Sequence, residues 1–172
     1  MTDRRRLPDP LPVLGCLPRG SAVIVREIDP ARRRLLVRRL RRPCRRLRLR
    51  LLVAADEQLA ATADGLHLPE AMVRHGWRRR RPHCLVTAAA HSPAAIRRAA
   101  ARGVDAVLLA PVFPTASHPG AASLGPLRFS RAARTSPLPV YALGGIDAVT
   151  ARRLLASGAA GFAAIGALGD LA

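Results

Sequence analysis

The sequence predicts an α/β fold of the TIM-type (β/α)8 barrel class, with its first strand missing or truncated. Three observations lead there. Seven short apolar, β-prone runs alternate with helical segments, the rhythm of right-handed βαβ units around a parallel sheet. The ends of these runs open into loops rich in glycine or hydroxyl residues, as on the C-terminal rim of a barrel. Ahead of the first run, Pro8, Pro10 and Pro12 forbid a regular interior strand and disfavour a helix where an eighth strand is wanted. An open doubly wound sheet is the alternative, but no GxGxxG follows the first strand to support it.

Taken in order, Ala22–Arg26 (AVIVR) is the first strand run. Ala31–Arg42 then places Leu35, Leu36 and Leu40 at helical spacing, which predicts an amphipathic helix that Pro43 stops, its arginines forming a solvated face. Leu49–Ala54 and Gly65–Leu68 are strands separated by a short helical stretch. Cys84–Ala88 precedes the helix SPAAIRRAAARG, in which Ser92 is the N-cap and Pro93 occupies the first helical position. Asp105–Leu109 runs into a long loop, Leu108 to Leu127. Val140–Leu143 precedes the helical AVTARRLLASG, and Gly161–Ile165 is the last strand. Gly103 and Gly158 stand where left-handed helix C-terminal caps are needed. Residues 1–20 read as an irregular segment and 21–172 as the barrel domain.

The 172 residues suit one domain with a sizeable core, being 49% hydrophobic and 23% charged. The formal charge of +18 points toward anionic partners. Two features weigh against a nucleic-acid-binding protein as the main reading: all 29 basic residues are arginine, which fits an arginine-rich coding style, and only 3% are the aromatics that single-strand binders stack on bases. Charge is uneven, with sixteen arginines and four acids in the first 50 residues. No apolar run is long enough to span a bilayer and no signal-peptide pattern opens the chain, so a cytoplasmic location without membrane partners is expected. Cys16, Cys44 and Cys84 follow no metal-ligand spacing and read as reduced thiols.

Chemistry concentrates in the loops after the later strands. The loop from Leu108 offers Thr115, Ser117, Ser123 and His118 as hydrogen-bond donors to an anionic group such as phosphate. ALGGID, Ala142–Asp147, follows a strand, and Gly144 and Gly145 let a phosphate approach bare backbone N–H groups. A plain turn is the competing explanation. AAIGAL, Ala163–Leu168, supplies the matching end of the next strand, and in barrels these last two loops commonly cradle phosphate. His67 and His91 stand at strand ends, within reach of acid/base work but also of purely structural roles. No nucleophile elbow, HExxH or paired-carboxylate constellation is present.

Taken together, HS at His91–Ser92, VDAVLLAPVFPTASHPGA, PVYALGGID and GAAGFAAIGAL resemble the thiamine phosphate synthase/TenI family, with weaker matches in REI at Arg26–Ile28, LLVAADEQLA and ADGLHLPE. Met1–Asp3 resembles the end of the family's first strand. The resemblance implies a TIM barrel that binds a thiazole phosphate and joins it to a pyrimidine carrying a pyrophosphate leaving group. This is an alkyl transfer through a carbocation-like intermediate, with Mg²⁺ neutralising the leaving group. It places Thr115 and Ser117 at the pyrophosphate and Gly144, Gly145 and Ile165 near the thiazole phosphate, with Gly166 where many members have serine. Arg26 falls in the second-strand motif.

The departures are specific. Ala54 and Ala55 stand for the family's Asn-Asp, and Met72 for its second metal aspartate, so the Mg²⁺ carboxylates are expected to be lost. Ile28 and His118 replace lysines, and Ala89 replaces the pyrimidine-side serine. HLPE resembles the TenI branch, some of whose members isomerise the thiazole phosphate by proton transfer, although the branch's catalytic histidine position reads Ala110-Pro111. The leading expectation is a synthase-like protein of thiamine biosynthesis with impaired or lost activity. His118, His91 and His67 are the candidate acid/base groups, the phosphorylated thiazole and pyrimidine its ligands, and a homo-oligomer is open. The alternatives are a TenI-like tautomerase, an inactive thiazole or thiamine phosphate binder, and an arginine-rich nucleic-acid binder.

Overall fold

A computed structural model describes residues 1–115 and 122–169 of the chain. Ser117 and His118 lie outside the described residues. The elements are β1 (Ala22–Val25), α1 (Pro30–Arg46), β2 (Arg50–Ala54), α2 (Glu57–Ala60), β3 (Gly65–Leu68), α3 (Glu70–Arg74), β4 (Leu85–Ala90), α4 (Pro93–Ala101), β5 (Ala106–Leu109), α5 (Gly125–Arg134), β6 (Val140–Ala142), α6 (Ala148–Arg152), β7 (Gly161–Phe162) and α7 (Gly166–Gly169). Among the described residues there are seven strands, paired in parallel and separated by helix-bearing segments, the α/β alternation of an incomplete TIM-type barrel.

The chain divides into two compact units, Met1–His67 with His83–Leu85 and Ile165–Ala172, and Leu68–Pro82 with Val86–Ala164. In the first, β1 pairs with β2 from Ala22 opposite Arg50 to Val25 opposite Val53, and β2 pairs with β3 up to Ala54 opposite His67. Ahead of β1 the three-proline segment forms neither strand nor α-helix but one 3-10 turn, Pro12–Cys16, with proline at its start where no N–H is needed. Met1–Asp3 lies along the end of β1: Thr2 N–H donates to Ile24 O at 2.9 Å, and Arg26 N–H donates to the Thr2 hydroxyl at 2.9 Å. In the second unit β4, β5, β6 and β7 pair in chain order, and Val107, Leu109, Ala88, Ala90 and Ala142 are wholly buried, since a parallel sheet covered on both faces has no polar side.

Helix α1 departs from the sequence expectation, because it runs through Pro43 to Arg46 instead of stopping. The reason is position. Pro43 lies in the last turn, where it removes a single amide, and its own carbonyl still accepts from Leu47 N–H at 3.0 Å. Cys44, 1% exposed, anchors that turn in the core beside Val37 and Leu40. Leu35, placed by its spacing on the apolar face, is 47% exposed. The start of α1 is fixed by Asp29, whose carboxylate accepts from Ala31 and Arg32 N–H, with Pro30 at the first helical position. Ser92 caps α4 in the same way through Ala95 N–H, as its sequence predicts. The long loop after β5 ends at Leu124, because Gly125-Pro126 begins α5, and α6 closes at Arg152, well before Gly158.

Leu40 is fully buried, so Leu40→Ala should lower unfolding stability by about 2–5 kcal/mol. Pro43→Ala restores a helical amide and should raise it by about 1 kcal/mol after the looser unfolded chain is allowed for. Urea denaturation of both variants checks the two directions, and a Pro43→Ala loss would contradict the helix continuing through that position.

Candidate functional site

In the second unit, the turn after β6 and the loop after β5 are pressed together. Val112 N–H donates to Leu143 O at 2.9 Å and Phe113 N–H to Gly144 O at 3.0 Å. The backbone at Gly144 and Gly145 has φ of 92° and 64°, which only glycine adopts without strain. A Cβ on Gly144 would sit 2.8 Å from Pro111 Cα, and one on Gly145 would sit 2.6 Å from Pro114 O and 2.7 Å from Phe113 Cβ. Both glycines are therefore required by the packing of the two loops, a structural reason independent of any ligand. What the turn leaves over is chemical: among the described residues, the N–H groups of Gly144, Gly145 and Ile146 donate to no acceptor. Successive amides in such a turn form an anion-binding concavity.

The following residue sets a limit on that concavity. Asp147 caps α6, accepting from Val149 N–H at 2.9 Å and Thr150 N–H at 2.8 Å, while Asp147 N–H donates to the Thr150 hydroxyl at 2.8 Å. These hydrogen bonds, led by the Thr150 amide, hold the Asp147 carboxyl below the usual carboxylate range. The end of α6 is thus already served by its own carboxylate, and the amides left for a ligand are those of the glycine turn. Thr150 also ties back to the turn by donating to Gly145 O at 2.8 Å. The guanidinium of Arg153 lies 5.1 Å from the centroid of the Phe113 ring, bracing the loop after β5.

At the end of β4 the same unit holds an acid–base network. His91 Nδ1 lies 2.8 Å from Ala110 O; a carbonyl only accepts, so Nδ1 donates this hydrogen bond. His91 N–H donates to Glu70 Oε2 at 3.0 Å, and Arg98 donates to Glu70 Oε1 at 3.0 Å. The sequence gives no sign that Glu70, the last residue of HLPE, meets Arg98, since 28 positions separate them. Thr115 is half-buried in the loop after β5.

The first unit carries the other candidates. Arg26 is exposed just past β1, joined through its backbone to Thr2. His67, on β3, is 4% exposed, and burial, reinforced by the positive charges of the Met1 amino group and Arg26, lowers its pKa to about 4. It is a neutral imidazole at pH 7. Ile165 is buried, and Gly166 opens α7, where a Cβ would still lie 3.8 Å from the Arg6 side chain. Space exists there for a serine. Gly144, Gly145 and the loop bearing Thr115 belong to the second unit, and Arg26, His67, Ile165 and Gly166 to the first.

The donor set does not fit the Mg²⁺ that the family resemblance implies. Ala54, Ala55 and Met72 bring no side-chain oxygen to the three positions concerned. Asp56, next to them, caps α2 through Leu59 N–H and pairs with Arg33 at 3.2 Å. Among the described residues no group of three His, Cys, Asp or Glu side chains is close enough to hold a metal.

A parallel β/α fold with an amide-lined glycine turn at its strand ends is of the TIM-type barrel class, in which the loops after the last strands commonly cradle phosphate. Within that class the chain belongs to the thiamine monophosphate synthase/TenI family, whose model, described as "Thiamine monophosphate synthase", matches residues 14–168. The chain is 37% identical over 111 residues to "Putative thiamine-phosphate synthase 2" of Aquifex aeolicus, covering 64% of this chain and 60% of that protein. It is 38% identical over 170 residues to "Putative thiamine-phosphate synthase" of Geobacter sulfurreducens, covering 91% of this chain and 77% of that protein. The structure of "Thiamine phosphate pyrophosphorylase from Pyrococcus furiosus" superposes with a TM-score of 0.78 at 24% identity over 98% of this chain and 85% of that one, a likeness of fold.

Gly145→Ala should destabilise the chain by about 1–3 kcal/mol through its positive φ and its contact with Pro114, measurable by urea denaturation without any ligand. His67 gives a pH signature. Its folded pKa of about 4 lies below the unbound value of 6.5, so the unfolded chain takes up more protons between these values. Its contribution to stability is complete above pH 6.5 and is lost as pH falls toward 4, by up to about 3 kcal/mol. His67→Gln should flatten the urea midpoint across that window, and an unchanged slope would show that His67 is not the group responsible.

Proposed function

We propose that this chain is a thiamine-phosphate-synthase-like protein that binds a thiazole phosphate at the amides of Gly144, Gly145 and Ile146, with its coupling activity impaired. Membership of the thiamine monophosphate synthase family supports the substrate class. The observation that carries the binding half is the run of three amide N–H groups that, among the described residues, have no acceptor, in a turn held open by two glycines. A phosphate oxygen accepting from such amides replaces the water it leaves with fixed dipoles, at no cost in reorganisation. Because the chain spans 60% of the length of the Aquifex relative, what that protein's name says of its activity is a proposal here.

The coupling half is argued from chemistry. In the alkyl transfer, the thiazole nitrogen forms a bond to the pyrimidine methylene as its bond to pyrophosphate breaks, and the leaving group carries away the electron pair. Negative charge grows on pyrophosphate, and its neutralisation by metal or cationic groups is worth several kcal/mol, each about 1.4 kcal/mol being tenfold in rate. With Ala54, Ala55 and Met72 at the carboxylate positions and Ile28 at a lysine position, that stabilisation is reduced. The TenI-like tautomerase is the second reading, favoured by one observation: the His91 ring is held through Nδ1 against Ala110 O, so Nε2 is the ring atom left for proton transfer.

The test is direct. Thiazole phosphate alone, at a hundredfold excess over its dissociation constant, should stabilise the protein by about 2.7 kcal/mol and raise its melting temperature by several degrees. Coupling with the pyrimidine pyrophosphate should be slow and insensitive to Mg²⁺. Absence of any shift with thiazole phosphate would remove the binding half, and rapid Mg²⁺-dependent coupling would remove the impaired half. Exchange at the thiazole carbon without coupling, lost in His91→Gln, would shift the assignment to the tautomerase.

A further inference from the structure

Helix α1 presents a charged face that neither the fold nor the proposed thiazole chemistry uses. Arg34, Arg38, Arg41, Arg42, Arg45 and Arg46 are all exposed on it. The helix's other arginines have carboxylate partners: Arg32 with Glu27 at 3.4 Å, Arg33 with Asp56 at 3.2 Å and Arg39 with Asp9 at 3.5 Å. Among the described residues the six form no ion pair, although the charge of Arg34 acts on the Asp29 carboxyl that caps the helix, and no acidic residue occurs in α1 itself. At 100° per residue they fall within an arc of about 140°, and Arg34 to Arg45 spans about 16 Å along the axis. An arginine-rich coding style explains arginine in place of lysine, which leaves the charge unchanged; it does not explain a surplus of 18 positive charges, nor six exposed ones outside any ion pair on one helix.

We propose that this face docks on the phosphate backbone of duplex nucleic acid, independently of base sequence. Charge complementarity is the argument for a polyphosphate: a duplex carries about one negative charge per 1.7 Å of axis, so a 16 Å row of guanidinium groups meets several phosphates at once. Guanidinium forks also match phosphate oxygens in pairs. A single strand is disfavoured because binding it requires bases stacked on aromatic rings, and α1 contains no aromatic residue. A membrane surface is disfavoured because an interfacial helix must sink an apolar face into the lipid, and the apolar face of α1, Val37, Leu40 and Cys44, is already buried in the protein.

The experiment uses the full chain, a 20-base-pair duplex in DNA and RNA forms, the corresponding single strand, and phosphatidylserine vesicles. Two variants remove the same charge: Arg34, Arg38, Arg41 and Arg45 all to Gln on α1, and the exposed Arg74, Arg97, Arg128 and Arg131 all to Gln on the second unit. Melting temperatures establish that both remain folded. Expected is duplex binding whose log affinity falls with log salt at a slope of about −4 to −5, an α1 variant weakened about 30-fold or more with a slope shallower by about 3, and a control variant within about threefold of the parent. Equal losses in the two variants would mean diffuse net charge and overturn the proposal. So would tighter binding of the single strand, α1-dependent capture by the vesicles, or no duplex binding. Similar affinity for DNA and RNA duplexes supports backbone docking, and binding of one form alone would overturn it.

Discussion

The closeness of two loops governs the second unit. Gly144 and Gly145 bring the turn after β6 against Pro111, Phe113 and Pro114, with a side chain at either position excluded by backbone atoms under 3 Å away. Two backbone hydrogen bonds, from Val112 to Leu143 and from Phe113 to Gly144, close the contact. The loop after β5, which would otherwise pay a large conformational cost, is thereby held at both ends by backbone hydrogen bonds, with Leu124 and Gly125 amides returning to Pro111 and Val112 carbonyls at its far end. Both ends of the loop are thus pinned by peptide groups.

The same contact joins the structural and chemical roles of the turn. Positive φ values turn successive peptide planes so that amides face one side, and the carbonyls of Gly144 and Gly145 are taken up by Phe113 N–H and the Thr150 hydroxyl. Among the described residues the donors keep no acceptor while the carbonyls are taken up, which leaves a local excess of positive partial charge in a turn with no charged side chain of its own. Asp147, one residue later, spends its carboxylate on α6 and so does not compete for those amides.

Much of this architecture is legible in the sequence because strands and caps are local. All seven strand runs fall within two or three residues of the observed boundaries, as the alternation of short apolar runs with helices has only one common spatial solution. Ser92-Pro93 and Ala142–Asp147 are likewise read from neighbouring residues. Pro43 is the instructive failure: a proline's effect depends on how many turns follow it and whether the next buried residue holds them, and burial of Cys44 is a tertiary fact. The Glu70, His91 and Arg98 network was invisible for the same reason, because three separate elements supply it. The glycine pair is a subtler case, for its sequence predicts close approach without saying whether ligand or protein is what approaches.

The basic face of α1 has a consequence for control. A lysine surface can be neutralised one side chain at a time by acetylation, and its charge weakens at alkaline pH, whereas arginine keeps its proton throughout the physiological range and retains its charge even when methylated. With 29 arginines and no lysine, the chain has placed its charge beyond reach of the commonest charge-cancelling modification. The electrostatic character of α1 is therefore a constant of the polypeptide, and only ionic strength or an occupant can screen it.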